Sequence, residues 1–232
     1  KQPKDLNFTM KTKSSLVTFL STCFILSESS KQYRPVKRVT FIALSILILN
    51  SCSASSPLFQ VGQIRTALGD ILIFLYQDVP QHRSNFIELA EAGYWDDYTF
   101  NRVIEGFVAQ GGCPDTPEGF AYSIHLLEPE FRDHLKHVYG AFAAGRDNNP
   151  RKLSAGCQFY VVQDREGIPR LDNNYTIYGQ VFQGMDVIES IVRVETDSAD
   201  APLEDIELDV NVIGMTRAAI EANGFEIPVD GR

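Results

Sequence analysis

With 232 residues, 44% of them hydrophobic and 11% aromatic, the chain is long enough for one well-buried domain with extensions. Its net charge of -9 conceals an asymmetry: the first 52 residues hold eight Lys/Arg and two Asp/Glu, leaving 13 against 28, a net of -15, for the rest. That balance argues against a nucleic-acid partner, and the four cysteines, Cys23, Cys52, Cys113 and Cys157, form no C-x-x-C pair that would suggest a zinc knuckle or a thioredoxin-type site.

In chain order, residues 34–52 (RPVKRVTFIALSILILNSC) put three basic residues before an 11-residue apolar run, Val39 to Leu49, and then small or polar residues ending at Cys52. This is the layout of an export signal, and the run is too short to span a bilayer as a mature helix. The Leu49-Asn50-Ser51-Cys52 sequence resembles a bacterial lipobox, which implies acylation of Cys52, membrane contact only through that lipid, and a location on the periplasmic side of a bacterial cell envelope. A second apolar run upstream, Leu16 to Leu26, makes the first 35 or so residues either an expendable leader or sequence ahead of the true start. The reading is a leader over 1–52, a Ser-rich tether over 53–59, a folded domain over 60–217 and a tail over 218–232, partly helical and then loose.

The folded part opens with QIRTALGDILIFLY, two β-rich runs about a turn at Leu68 to Asp70. An amphipathic helix follows, with Pro80 near its start, Phe86, Leu89 and Ala90 on one face and Gly93 placed to end it. Further strands are expected in FNRVI, FVAQGG, GAFAAG, CQFYVVQ, YTIYGQVF and IELDVNVIGMTR, with a second helix in GMDVIESIVRVE. Many short strands with two helices predict a mainly β fold, an antiparallel sheet closed into a barrel so that no edge is exposed. His134 and His137, three apart in EFRDHLKHVYG, could share a helical face but lack a third metal ligand nearby, and read as solvated or capping side chains. Glu128 and Glu130 read as surface acids in an acidic chain, not as an acid–base pair.

Four blocks in order, FNRVIEGFVAQGG, GAFAAGRDNN, SAGCQFYVV and LDNNYTIYGQV, resemble the cyclophilins, a family of peptidyl-prolyl cis/trans isomerases. The resemblance covers roughly Gln60 to Arg217 and implies a closed eight-stranded antiparallel β-barrel capped by two α-helices, with no cofactor and no metal, acting as a monomer on proline-containing polypeptides. It implies that Arg102 is the catalytic group, that Phe107, Val108, Tyr160 and Leu171 cup the proline ring, and that Gln110 holds the substrate backbone. Gly145, Arg146, Gln158 and Tyr175 complete the substrate-binding set. Gln158 and Tyr160, two apart on one strand, share a face that Phe159 does not.

Elementary chemistry gives the arginine its task. Resonance holds the prolyl bond planar behind a barrier of about 18–20 kcal/mol, and rotation leaves a lone pair on nitrogen. A guanidinium can donate to that lone pair only once the bond is twisted, which favours the transition state over the ground state. Gly145-Arg146 stands where the family has an Ala-Asn pair, so the backbone-binding edge is altered and positively charged, and Arg170 stands where eukaryotic members often have a tryptophan that contacts cyclosporin, which argues against tight binding of that drug. Cys113 and Cys157, beside the QGG and QFY motifs, are expected to form a disulfide in an exported protein. The competing function is a tethered binding module or holdase that grips proline segments without turning them over; Arg102 is the feature that favours catalysis.

Overall fold

The structure is a computed structural model that describes residues 58–114 and 125–228. The expected lipidation site Cys52, with the leader and most of the tether, lies outside the described residues. β1 (Leu58–Thr66) and β2 (Gly69–Leu75) form the opening hairpin, whose last pair is Thr66 with Gly69. The turn is therefore Ala67-Leu68, one residue earlier than the sequence suggested. The Thr66 hydroxyl holds it, accepting from the Leu68 N–H and donating to the Gly69 carbonyl, both at 3.0 Å.

After the hairpin come α1 (Pro80–Glu91), β3 (Phe100–Val103), β4 (Val108–Gly112), β5 (Leu126–Leu127), β6 (Ala141–Ala144), β7 (Ser154–Ala155), β8 (Gln158–Val162), β9 (Ile177–Gln183), α2 (Met185–Ile191), β10 (Asp209–Thr216) and α3 (Arg217–Glu221). β5 and β7 pair only with each other. The other eight make one antiparallel sheet in the order β10-β1-β2-β9-β6-β8-β4-β3.

That sheet curls into a half-barrel and is not closed, which corrects the expected barrel. The edge strands β3 and β10 share no ladder. The outward N–H groups of β3 are taken instead by the loop ahead of β10: Phe100 donates to the Ile206 carbonyl and Val103 to the Asp200 carbonyl, each at 2.9 Å. The edge is thus covered without a strand pairing, with a single bridge between Thr99 and Glu207.

Inside the curl, Phe86, Trp95, Phe142 and Phe159 pack ring against ring, with Phe142 and Phe159 centroids 5.2 Å apart and Phe86 edge-on to Phe142 at 5.6 Å. Each such buried ring contributes about 1.5–3 kcal/mol. α1 supplies Phe86 together with Leu89 and Ala90 on its buried face. Pro80 fits its first turn because the missing N–H would have no helical partner there. The helix has no local side-chain cap; Glu130 caps it from afar, accepting from the Gln81 and His82 N–H groups and, at 2.8 Å, from the His82 ring.

The unbroken apolar run of β2 has a specific cause. Ile71, Ile73 and Leu75 face the inner core, whereas Leu72 and Phe74 face outward and join Val61, Ile220 and Ile227 in a second cluster. The C-terminal segment therefore lies across the outside of the β1–β2 hairpin. α3 is the helical start expected of the tail, and the chain stays packed as far as buried Ile227, where the tail was expected to be loose. Thr216 caps α3 by accepting from the Ala219 N–H.

Candidate active site

Register across the strands assembles the site. Arg102 on β3 lies opposite Gln110 on β4, Gln110 opposite Tyr160 on β8, and Tyr160 opposite Ala143 on β6. Directly paired residues project to the same face of a sheet, so guanidinium, amide and phenol form a row on the outer surface. Their neighbours Gly111 and Phe159 turn inward; a side chain at Gly111 would press on the Phe159 ring at 3.2 Å.

The row borders a cavity of about 160 Å³ lined by Arg102, Phe107, Val108, Gln110, Gly145, Arg146, Gln158, Tyr160, Arg170, Leu171 and Tyr175. All ten substrate-site residues expected from the sequence are brought together there, and Arg170 is the addition. A volume below the roughly 300–1,000 Å³ of small-molecule sites suits one side chain better than a cofactor. Phe107, Val108, Leu171 and the ring of Tyr160 make its apolar part. The polar part consists of three guanidiniums, two amides and two phenols, with no carboxylate or thiol in the lining. Such a set donates hydrogen bonds and has no group suited to proton abstraction at neutral pH.

Arg102 is about one-third exposed, so a substrate can reach it, and its Nε lies 3.7 Å from Asp200 Oδ2. Asp200 arrives on the loop that covers the β3 edge, in a left-handed backbone conformation at φ 63°. The same loop thus seals the sheet and braces the arginine.

Tyr160 is held from behind. His137 Nε2 lies 2.9 Å from the Tyr160 hydroxyl, and His137 Nδ1 lies 2.8 Å from Asp172 Oδ1, which also accepts from the His137 backbone N–H. Burial pushes the His137 ring below the usual imidazole range, against the opposing pull of Asp172. Burial likewise pushes the Tyr160 phenol well above its usual value. The consistent arrangement is a neutral imidazole donating from Nδ1 to Asp172 and accepting at Nε2 from the tyrosine O–H. For Asp172, burial works to raise the pKa, but the His137 backbone and ring bonds and the nearby Lys136 outweigh it and leave the carboxyl below its ordinary value.

His137 is therefore neither solvated nor a cap, and the 131–139 segment is irregular, not a shared helical face. His134 is the exposed one, 3.1 Å from Asp78. The signal missed was Asp172, one residue after Leu171, which needs a partner once Leu171 is buried in the cup.

The far edge of the cavity depends on absent side chains and a covalent tie. A Cβ at Gly145 would fall 1.8 Å from Gln158 Oε1, so the amide lies directly over the glycine. Gln158 donates from Nε2 to the Cys113 carbonyl at 2.7 Å. Cys113 and Cys157 are joined in a disulfide with Cα atoms 5.5 Å apart, bridging the ends of β4 and β8. Gly112, at φ 91°, lets the Cys157 carbonyl approach to where a Cβ would meet it at 2.3 Å. That carbonyl accepts from Trp95 Nε1 and from the Cys113 N–H.

The curled antiparallel sheet thus carries an arginine, a glutamine and an apolar cup on its outer face. Residues 61–212 match the family described as cyclophilin type peptidyl-prolyl cis-trans isomerase/CLD, and the chain belongs to it. Similar proteins include peptidyl-prolyl cis-trans isomerase CYP18-1 of Arabidopsis thaliana, 33% identical over 163 residues, 69% of this chain and 95% of that one. Peptidyl-prolyl cis-trans isomerase CYP71 of the same plant is 34% identical over 163 residues; this chain spans only 25% of its length. Among solved structures, a cyclophilin type peptidyl-prolyl cis-trans isomerase of Cryptosporidium parvum, crystallised with the dipeptide Ala-Pro, aligns with a TM-score of 0.60 at 25% identity, over 66% of this chain and 99% of that one.

Proposed function

We propose that this chain catalyses cis/trans isomerisation of Xaa-Pro bonds in unfolded or flexible polypeptides, and that it does so in a bacterial cell envelope, tethered through an acylated Cys52. The observation carrying the first part is the Arg102–Gln110–Tyr160 row beside a cup sized for one side chain. A proline ring seated among Phe107, Val108, Tyr160 and Leu171 brings its peptide bond to the row. Gln110 holds the peptide backbone while Arg102 donates to the nitrogen as it pyramidalises. The donor has no matching acceptor in the planar ground state, so its effect falls on the barrier. No proton is transferred, and no cofactor is required.

Support for export is the order of basic, apolar and small-residue segments ahead of Cys52, together with a disulfide in the folded part. The activity is tested by NMR exchange on an Ala-Pro peptide: cis/trans exchange should accelerate far beyond the spontaneous tens to hundreds of seconds, and unchanged exchange overturns the reading. The tether is tested by fatty-acid labelling in a bacterial host. Label should enter the protein and be lost in Cys52→Ala; an unlabelled parent refutes it.

A further inference from the structure

The charge at the rim of the cavity is opposite to that of the chain around it. Beyond residue 52 the sequence carries 28 acidic against 13 basic residues, and most of the described arginines sit beside a carboxylate. Arg146 and Arg170 do not: neither has a carboxylate partner among the described residues, a trait shared only with Arg83, which bonds to Gln60. Each is held instead by neutral groups. Arg146 donates from Nε to the Asn174 carbonyl and from Nη1 to the Asp147 carbonyl, both at 2.7 Å, and its guanidinium lies 4.6 Å from the Tyr175 ring centroid. Arg170 stacks on Phe107 at 4.9 Å. Phe107 belongs to the cup and Tyr175 lines the same cavity, so both cations stand at its rim.

We infer that Arg146 and Arg170 select proline segments carrying acidic side chains next to the proline. This rests on the isomerase reading of the same site and names the substrate class within it. Aromatic faces and carbonyls orient a guanidinium without neutralising it, leaving the positive charge to be met by an incoming ligand. A carboxylate flanking the proline would accept from these donors once the ring is seated. Basic flanks would meet like charge at short range, which disfavours the wrong substrate as much as the contact favours the right one.

The test compares three peptides that share a central Ala-Pro unit and differ only outside it, with Glu, Gln or Lys on both sides, so that the spontaneous isomerisation of the Ala-Pro bond stays comparable. Affinity is read by NMR titration and turnover by exchange, at low and at high salt. The Glu peptide should bind about fivefold or more tightly than the Gln peptide, the scale of two partly exposed charge contacts. The Lys peptide should bind more weakly still, and the spread should contract in high salt. In Arg146→Gln/Arg170→Gln the Glu-to-Gln ratio should fall to about one, while Arg102→Gln should retain it. Equal affinities for the three peptides, or a ratio that survives the double substitution, overturn the inference and leave the isomerase reading standing. Absence of exchange with every peptide sinks the isomerase reading instead, and the titration still decides the charge preference.

Discussion

The cavity holds its arginines in two different ways. Arg102 lies on a strand, opposite Gln110 in the ladder, with a carboxylate 3.7 Å from its Nε. Arg146 lies on a loop and Arg170 in the 3-10 turn Pro169–Leu171, supported by carbonyls or rings and unmatched by acid among the described residues. A strand position and a carboxylate brace fix the direction in which a guanidinium donates, which is what a twisting bond requires. Rings and carbonyls leave the charge exposed to solvent and ligand, which serves selection. The contrast predicts that Arg102 and the Arg146–Arg170 pair respond separately to perturbation.

The largest effect should come from the disulfide, and it should fall on stability. Cys157→Ser opens a link between residues 44 apart in sequence, which constrains the unfolded chain by up to about 4 kcal/mol in the entropy picture. Chemical denaturation should show a loss of roughly 2–4 kcal/mol. Arg102 and Gln110 are held by strand register instead, so kcat/KM of the folded variant should remain within about threefold. A collapse of activity without loss of stability would mean that the disulfide is coupled to Arg102 through Cys113 and Gln158.

A smaller effect is expected from removing the brace. Asp200→Ala should lower kcat/KM about threefold, near 0.7 kcal/mol, the scale of a partly exposed ion pair. Peptide affinity should hardly change, because Asp200 acts through Arg102, and Asp200→Glu should recover part of the loss. An equal weakening of peptide binding would assign Asp200 to the pocket floor.

Smallest at neutral pH is the effect of the support behind Tyr160. The His137 pKa is depressed by burial, so the unfolded chain takes up its proton first as the pH falls. The stability associated with the neutral ring is fully present above the ordinary imidazole value near 6.5 and is lost as the pH drops through the lower folded value. Stability should therefore be flat from pH 8 to about 6.5 and decline below that. His137→Gln should lose part of the acid dependence; an unchanged profile would place its origin in other groups, such as Glu130, whose carboxyl also sits below its usual range, its bonds from His82 and Gln81 outweighing the raising effect of burial.

Strand and helix positions were largely legible, because hydrophobic periodicity, Pro80 and Gly93 are local signals. Ten of the eleven cavity residues could be named from the four family motifs. What could not be read depends on partners distant in sequence. The β2 run looked like an ordinary strand until α3 and Ile227 covered its outer face. Asp200 brings its carboxylate to Arg102 from 98 positions away, and the His137–Asp172 contact joins residues 35 apart. The barrel was expected closed because exposed edges are costly, and the sheet met that cost with a loop.

The central claim is that Arg102 lowers the barrier to rotation and does more than help grip the chain, as a holdase side chain would. The measurement that tests it most directly is NMR exchange over a range of Ala-Pro peptide concentrations up to saturation, with affinity titrated in parallel, for the parent, Arg102→Ala and Arg102→Lys. The account predicts kcat/KM at least about tenfold lower in Arg102→Ala, near 1.4 kcal/mol of transition-state stabilisation. Peptide affinity should stay within a few-fold, and lysine, a point charge without the planar fork, should restore little. Turnover in Arg102→Ala equal to the parent, or a loss matched entirely by weaker binding, would contradict it.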